Sequence, residues 1–413
     1  MPELTKTTMS DFTLRDRWIL VSGLMVTQTI GWGTTFSQIG ILAQPISDDI
    51  TISRSIVFSG ATVMYLSAAV SAPFAGRLAD RIGGLKLLGP GSLVIAIGLV
   101  VLSLSTGIYS YLLAWLIFGL VLHIGLVTAA YTGLAQAIGA GAARGIGTLS
   151  LATGLCSSIF WPLSEFALQQ MDWRMLCQIY AIATALVCFP IHIWLSWRYG
   201  HLRAGSDDSD VSEAPPHIRA GVERSGFVWQ TAIASCGSLV TVGFGIAAID
   251  IFQQLGTKRI EAVFAGSLIG IAFVVSRGLA TLWADRFTPV QLAKLVYAAL
   301  PLSMTPLLVC YALGVLLPGW LAILVALGFG LPAGLVGILR SIFPLYLFGS
   351  TSYGRIFGRQ ARFTELASAF SPAGLSWLMG ISISGAVGAL VAVGGLVLIG
   401  TSRISRLTRQ DKS

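Results

Sequence analysis

The chain has 413 residues and a formal net charge of +8, yet only 11% of its residues are charged and 55% are hydrophobic. Soluble domains carry about 25% charged residues, so this chain cannot clothe its surface for water and its solvent is largely lipid. The positive charge does not indicate nucleic acid, because the basic residues are scattered at the ends of apolar runs; the five cysteines, none in a CxxC pair, read as small buried hydrophobes.

In chain order, Met1 to Asp16 form a polar lead. The apolar run that follows is too long for a signal h-region and lacks a small-residue cleavage site, so it is expected to stay as the first span. A span needs about 20 apolar residues. Runs at 18–43, 56–79, 85–105, 109–138, 145–170, 174–197, 227–255, 260–284, 290–313, 318–346, 355–381 and 383–402 meet or approach that length. The expected fold is therefore an all-α membrane protein of twelve transmembrane helices. Tyr199 to Gly226 is polar, Pro-containing and mixed in charge, and reads as a flexible linker. It divides the chain into a six-helix bundle over 1–198, a linker over 199–226 and a second six-helix bundle over 227–413.

Lys and Arg fall 21 on the side shared by the termini and the linker and 4 on the other, with Arg277 inside a span. Cytoplasmic loops carry the excess of basic residues, so both termini and the linker are expected in the cytoplasm and the protein in the cell inner membrane. The halves also echo each other. Val57-Phe58-Ser59-Gly60 returns as Val263-Phe264-Ala265-Gly266, Leu78-Ala79-Asp80-Arg81 as Trp283-Ala284-Asp285-Arg286, and Trp161-Pro162 as Ser371-Pro372. A near-constant offset across three spans points to a duplicated six-helix unit and pseudo-symmetric bundles. Transporters built this way place their substrate between the halves.

An ionisable group at mid-depth is costly and functional by default. By helical rise, Glu165 and Asp250 surface near the outer face, and Arg340 lies near the inner end of span 10 as a gate or interface residue. Three groups lie deep. Arg277, about 10–12 Å inside span 8, either binds a substrate carboxylate or pairs with Glu365. Glu365, about 16 Å into span 11, either carries a proton or sits in a permanent ion pair with Arg277 or Arg362. His123 is either a hydrogen-bonded interior residue or a proton carrier. Trp32, Phe36, Tyr65, Tyr131 and Trp161 are candidates for a pocket wall, or are packing.

The run Gly76-Arg77-Leu78-Ala79-Asp80-Arg81-Ile82-Gly83-Gly84 follows span 2. It resembles the G-x-L-A-D-R-x-G signature of the major facilitator superfamily, with a degenerate copy at Asp285-Arg286. The basic pair that often follows is altered to Gly84 and Leu85, with Lys86 one place later. The resemblance implies that Asp80 meets the N-terminus of helix 11, near Gly354-Arg355 with Arg359 close behind, and that Asp80, Arg81, Asp285, Arg286, Arg340 and Arg359 serve gating. A closer likeness lies in Ile52-Ser53-Arg54-Ser55, in Asp172-Trp173-Arg174, and in an Arg eight residues before the Asp of the 8–9 loop. These are similar to monocarboxylate porters and oxalate–formate antiporters. In that group an Arg of helix 8 holds the substrate carboxylate, and Arg277 matches it. The basic residue that some members carry in helix 1 is absent; Gln28 and Gln38 stand there as polar groups.

The expected activity is secondary transport of a small organic anion, a monocarboxylate, with a coupling proton and no metal, cofactor or catalytic residue. Multidrug efflux is a competing reading, but span 5 carries Phe160-Trp161-Pro162-Leu163 in place of the Gly-Pro-x-x-Gly-Gly run of proton-coupled drug exporters. A membrane enzyme is disfavoured, since no HExxH or GxSxG occurs. A non-transporting sensor is the alternative from another class.

Overall fold

The structure is a computed structural model that describes residues 12–139, 142–202, 223–282, 286–350 and 352–407. The first span is α1 (Leu14–Thr34), a 3-10 turn (Phe36–Gln38) and α2 (Ile39–Asp49). The second and third are α3 (Arg54–Ile82) and α4 (Gly84–Ser103). The fourth is α5 (Ile108–Gly125) with α6 (Val127–Ile138), and the fifth α7 (Ala142–Leu168). The sixth is α8 (Trp173–Ala183), a π turn (Thr184–Cys188) and α9 (Phe189–Tyr199). Single helices make the rest: α10 (Glu223–Gln254), α11 (Arg259–Leu282), α12 (Pro289–Ala312), α13 (Gly319–Phe348), α14 (Tyr353–Ile381) and α15 (Ile383–Leu407). Among the described residues each of the twelve apolar runs is mainly helix. Among the described residues nine segments are long and apolar enough to cross a membrane by length and composition alone. Spans 1, 5 and 11 are the others; span 11 carries Arg355, Arg359, Arg362 and Glu365 in its first half.

Helix starts follow the capping chemistry written in the sequence. The Thr13 hydroxyl accepts from the Asp16 N–H while the Asp16 carboxylate accepts from the Thr13 N–H, and Thr288 with Gln291 repeats the device at α12. Ser53 caps α3 and Asp172 caps α8.

The chain forms two compact units, one of 1–215 with 349–362, the other of 216–348 with 363–413. Within the first, α3 packs on α5, α4 on α5 and α9, and α1 on α9. Within the second, α11 packs on α13, α12 on α13 and α15, and α10 on α15. Span 2 against 4, 3 against 4 and 6, and 1 against 6 thus return as 8 against 10, 9 against 10 and 12, and 7 against 12. The closest approaches repeat too. A Cβ at Gly119 would meet the Met64 carbonyl of α3, and one at Gly330 would stand 2.9 Å from the Ile269 carbonyl of α11. Small residues admit neighbouring backbones where lipid gives no hydrophobic drive to associate. Aromatic side chains fill the cores: Tyr111, Trp115 and Phe118 in the first unit, Phe244, Phe252 and Phe329 in the second.

Three spans depart from the continuous helices expected. In span 1 the backbone breaks at Thr35 (φ −111°, ψ −94°). Carbonyls near the break are taken up by side chains: Thr34 donates to Ile30 O at 2.8 Å, Thr35 to Gly31 O at 2.6 Å, and the Gln38 amide to Thr34 O. Span 4 breaks at Leu126 with nearly the same angles (φ −128°, ψ −97°). In the π turn of span 6 Phe189 N–H reaches Thr184 O, and the His192 ring beyond it bonds Ser92 at 2.7 Å and Thr27 at 2.8 Å. Unsatisfied backbone groups are expensive in a bilayer, which is why each break is ringed by hydroxyls, amides or imidazole.

Candidate functional site

The signature loop closes on a helix start inside the first unit. Asp80, near the end of α3, accepts from Gly354 N–H at 2.9 Å with one carboxylate oxygen and from Arg355 N–H at 2.6 Å with the other. Both donors belong to the first turn of α14, where N–H groups lack intrahelical partners and the dipole favours an anion. Gly354 is required by proximity, since a Cβ there would lie 2.6 Å from the Asp80 carboxylate. A second clamp holds the loop from behind. The buried amide of Gln136, in α6, accepts from Gly84 N–H at 3.0 Å and donates to Ala79 O at 3.1 Å. Arg81 is exposed, as is Arg359 on α14.

The aromatic candidates separate. Trp32, Phe36 and Tyr65 form one half-buried cluster, with centroids 6.2 Å apart for Trp32–Phe36 and 5.7 Å for Phe36–Tyr65. Tyr131 lies elsewhere, 5.9 Å from Phe357, whose ring stacks on Tyr353 next to the Asp80 contact. The Trp161 side chain lies outside the described residues. Gln28 is 2% exposed, one turn before Gly31 on α1. Gln38 serves the break in span 1. His123 is fully buried, its Nδ1 2.8 Å from the Thr128 hydroxyl across the break in span 4.

In the second unit Glu365 has an ion-pair partner that the sequence reading did not name for it. Arg277 on α11 is half-buried and donates through Nε to Gly334 O of α13 at 3.1 Å. Glu365, 2% exposed, pairs with Arg340, whose NH2 stands 3.4 Å from Oε1. Arg340 also reaches the Thr364 hydroxyl at 3.5 Å. Arg340 thus takes the place that the sequence reading had given to Arg277 or Arg362. The reason is rotational. Arg340 lies on α13 facing α14, whereas Arg362 is exposed and Arg277 is held by Gly334. Arg340 also borders a small cavity, lined with it by Gln230 and Tyr297 among apolar neighbours. Asp285 lies outside the described residues, and Arg286 is exposed.

Two clusters escaped the sequence reading. On the Asp80 side of the first unit, Asp16 accepts from Tyr199 OH at 2.9 Å and pairs with Arg198 at 3.1 Å. At the opposite end, Asp49 accepts from Trp173 Nε1 at 3.0 Å and pairs with Arg174 at 2.7 Å, while Arg174 also donates to Ser103 O. The Asp-Trp-Arg motif thus caps α8 and staples it to α2 and α4. Sequence spacing signalled the motif but not its partner.

Twelve membrane helices in two internally repeated bundles, with buried charge inside one and a capped signature loop in the other, define the class of multi-pass transporters built from repeats. Among the described residues no cluster of His, Cys, Asp and Glu could hold a metal ion. The family model of the Major Facilitator Superfamily matches residues 24–372, and the chain belongs to that superfamily. No curated protein matches it by sequence. Solved structures share the fold. The human organic anion transporter MFSD10 (TETRAN) superposes with a TM-score of 0.71 at 14% identity, covering 94% of this chain and 99% of its own. The proton:xylose symporter XylE gives 0.67 at 14% identity, covering 93% and 95%. The Escherichia coli fucose:proton symporter FucP gives 0.67 at 13%, covering 94% and 99%.

Proposed function

We propose that this major facilitator transporter is a secondary active carrier of a small organic anion, a monocarboxylate, working by alternating access in the cell inner membrane. Arg277 carries this reading. It is a permanent cation in the C-terminal part of the membrane helix α11, half-buried, and tethered through Nε to a backbone carbonyl. That tether fixes the guanidinium plane, and a carboxylate is taken bidentately by the edge that carries the terminal amino groups. The likeness to monocarboxylate porters and the organic anion transporter among the structural neighbours support the same substrate class. Trp32, Phe36, Tyr65 and Gln28 supply wall and polar contact in this scheme. Glu365 is the coupling proton's carrier, a role consistent with the two proton symporters of the same fold.

Asp80 and Arg81, with Asp285 and Arg286 as their second-half copy and with Arg340 and Arg359, form the gate on the linker side. The basic-residue asymmetry supports a cytoplasmic location for that side, both termini and the linker. The bundles are 1–198 and 227–413, joined by 199–226.

Uptake of a panel of labelled carboxylates into proteoliposomes, with and without a pH gradient, tests the proposal. Arg277→Ala should lower carboxylate uptake about 30-fold or more, because truncating one side of a buried charge pair costs about 2–5 kcal/mol, while the protein still elutes as a folded species. Wild-type rates in that variant would remove Arg277 from the site, and transport of neutral or cationic solutes alone would overturn the anion assignment.

A further inference from the structure

The tightest point of the Asp80 contact has a third neighbour. Thr132 lies on α6, one turn before Gln136, whose amide clamps the end of α3. Its side chain is fully buried, and among the described residues its Oγ1 has no hydrogen-bond partner. A threonine within a helix can avoid that state by donating back to a carbonyl of the preceding turn. Thr27 does so to Gly23 O at 3.2 Å, and Thr241 to Gly237 O at 2.9 Å. Thr132 makes no such bond, although an orphaned buried hydroxyl bears the whole cost of its lost hydration.

What Oγ1 faces is the first turn of α14. A Cβ built at Gly354 would stand 2.6 Å from Asp80 Oδ1 and 3.0 Å from Thr132 Oγ1. An α-hydrogen of Gly354 occupies that direction, so a C–H group stands between carboxylate and hydroxyl. The same Asp80 Oδ1 accepts the Gly354 N–H. We propose that Thr132 is the reserve partner of Asp80: when the start of α14 withdraws, the Thr132 hydroxyl donates to the carboxylate oxygen that Gly354 N–H has left. On withdrawal the carboxylate gives up two charge-assisted bonds and regains one. The hydroxyl gains the acceptor it lacks while the contact is made. Thr132 therefore destabilises the shut contact and stabilises the open one, so that a doubly bonded latch can still release. It is a positioning residue, acting through Asp80. The inference rests on the gating role proposed for Asp80.

The experiment is hydrogen exchange of the full chain in lipid nanodiscs, followed by mass spectrometry over the peptide that holds Gly354 and Arg355. Exchange of these two N–H groups reads how often they leave Asp80. Thr132→Val keeps the volume and removes the hydroxyl. It should slow exchange at that peptide about tenfold, because the open state loses a hydrogen bond and the shut state loses an orphan. Thr132→Ser, which keeps the hydroxyl, should exchange as the wild type does. In an Asp80→Ala background Thr132→Val should change nothing, since the hydroxyl then has no carboxylate to reach. Equal exchange in Thr132→Val and the wild type would overturn the inference. So would slowing by Thr132→Ser as large as by Thr132→Val, or undiminished slowing in the Asp80→Ala background, since either would make the effect one of packing. Faster exchange in Asp80→Ala with unaltered carboxylate uptake would sink the gate reading instead, and the exchange rates would still decide whether Thr132 is the reserve partner.

Discussion

Asp80 accepts two adjacent backbone N–H groups with its two carboxylate oxygens, so its charge and its geometry act together. Asparagine keeps the shape but turns one acceptor into a donor facing a donor. Asp80→Asn should weaken the contact by about 1–2 kcal/mol, read as faster labelling of a cysteine placed beside Gly354. Gly354→Ala should do similar damage by pushing the carboxylate away, and the two together should be no worse than either alone, because they break the same contact. Glu365→Gln should make uptake independent of pH while leaving substrate exchange intact; unchanged proton dependence in proteoliposomes would argue against a carrier role. The Asp80 contact was legible because a nine-residue motif fixes its place in the chain. The partner of Glu365 was not, because Arg277, Arg340 and Arg362 all lie at plausible depth, and which one meets it depends on rotations of α13 and α14 about their axes. Gln136 carries no sequence signal beyond being an amide near a helix end.

Helix elements hold their ends with small polar clasps. Asp16, just before the first apolar run, joins the start of α1 to the end of α9. Burial pushes its carboxyl upward, but the hydroxyl and backbone N–H of Thr13, the Tyr199 hydroxyl and the Arg198 guanidinium outweigh that and hold it at about 2, below the ordinary 3.8. A depressed carboxyl stabilises the fold fully above its unfolded value. That stabilisation declines as pH drops below 3.8 and is gone below about 2. Thermal stability in detergent should therefore fall across that window, and Asp16→Asn should be less stable near neutrality but flatter in acid. At the other end, Asp49→Ala should cost about 1 kcal/mol, modest because Asp49 and Arg174 are partly exposed. Span number and approximate limits were readable from apolar run length. The breaks at Thr35 and Leu126 were not, since hydrophobicity runs through them and neither position carries a proline.

At the scale of the whole molecule, four helix pairings of the first unit return in the second, as the echoed tetrapeptides foretold. Gly60 and Gly266 recur at one offset but admit different neighbours, Trp115 of α5 beside Gly60 and Ile249 of α10 beside Gly266. The orientation proposed from the basic residues can be checked directly. Gly107 is extended and a Cβ there meets nothing within 4 Å, so Gly107→Cys should fold normally. It should react with a membrane-impermeant thiol reagent in intact cells, whereas a cysteine in the 199–226 linker should react only in inverted vesicles. The opposite pattern would reverse the assigned topology.

The π turn at Thr184–Cys188 holds one residue more than an α-turn would. It has the form of a single-codon insertion that the helix absorbed as a local swelling. Deleting one residue there should let the segment relax to ordinary α-helix, with Trp173 and His192 still pointing at their present neighbours. The same deletion a turn away on either side would swing everything beyond it by about 100° and scramble the bundle. Span 6 thus has one address at which its reading frame can be shortened without loss.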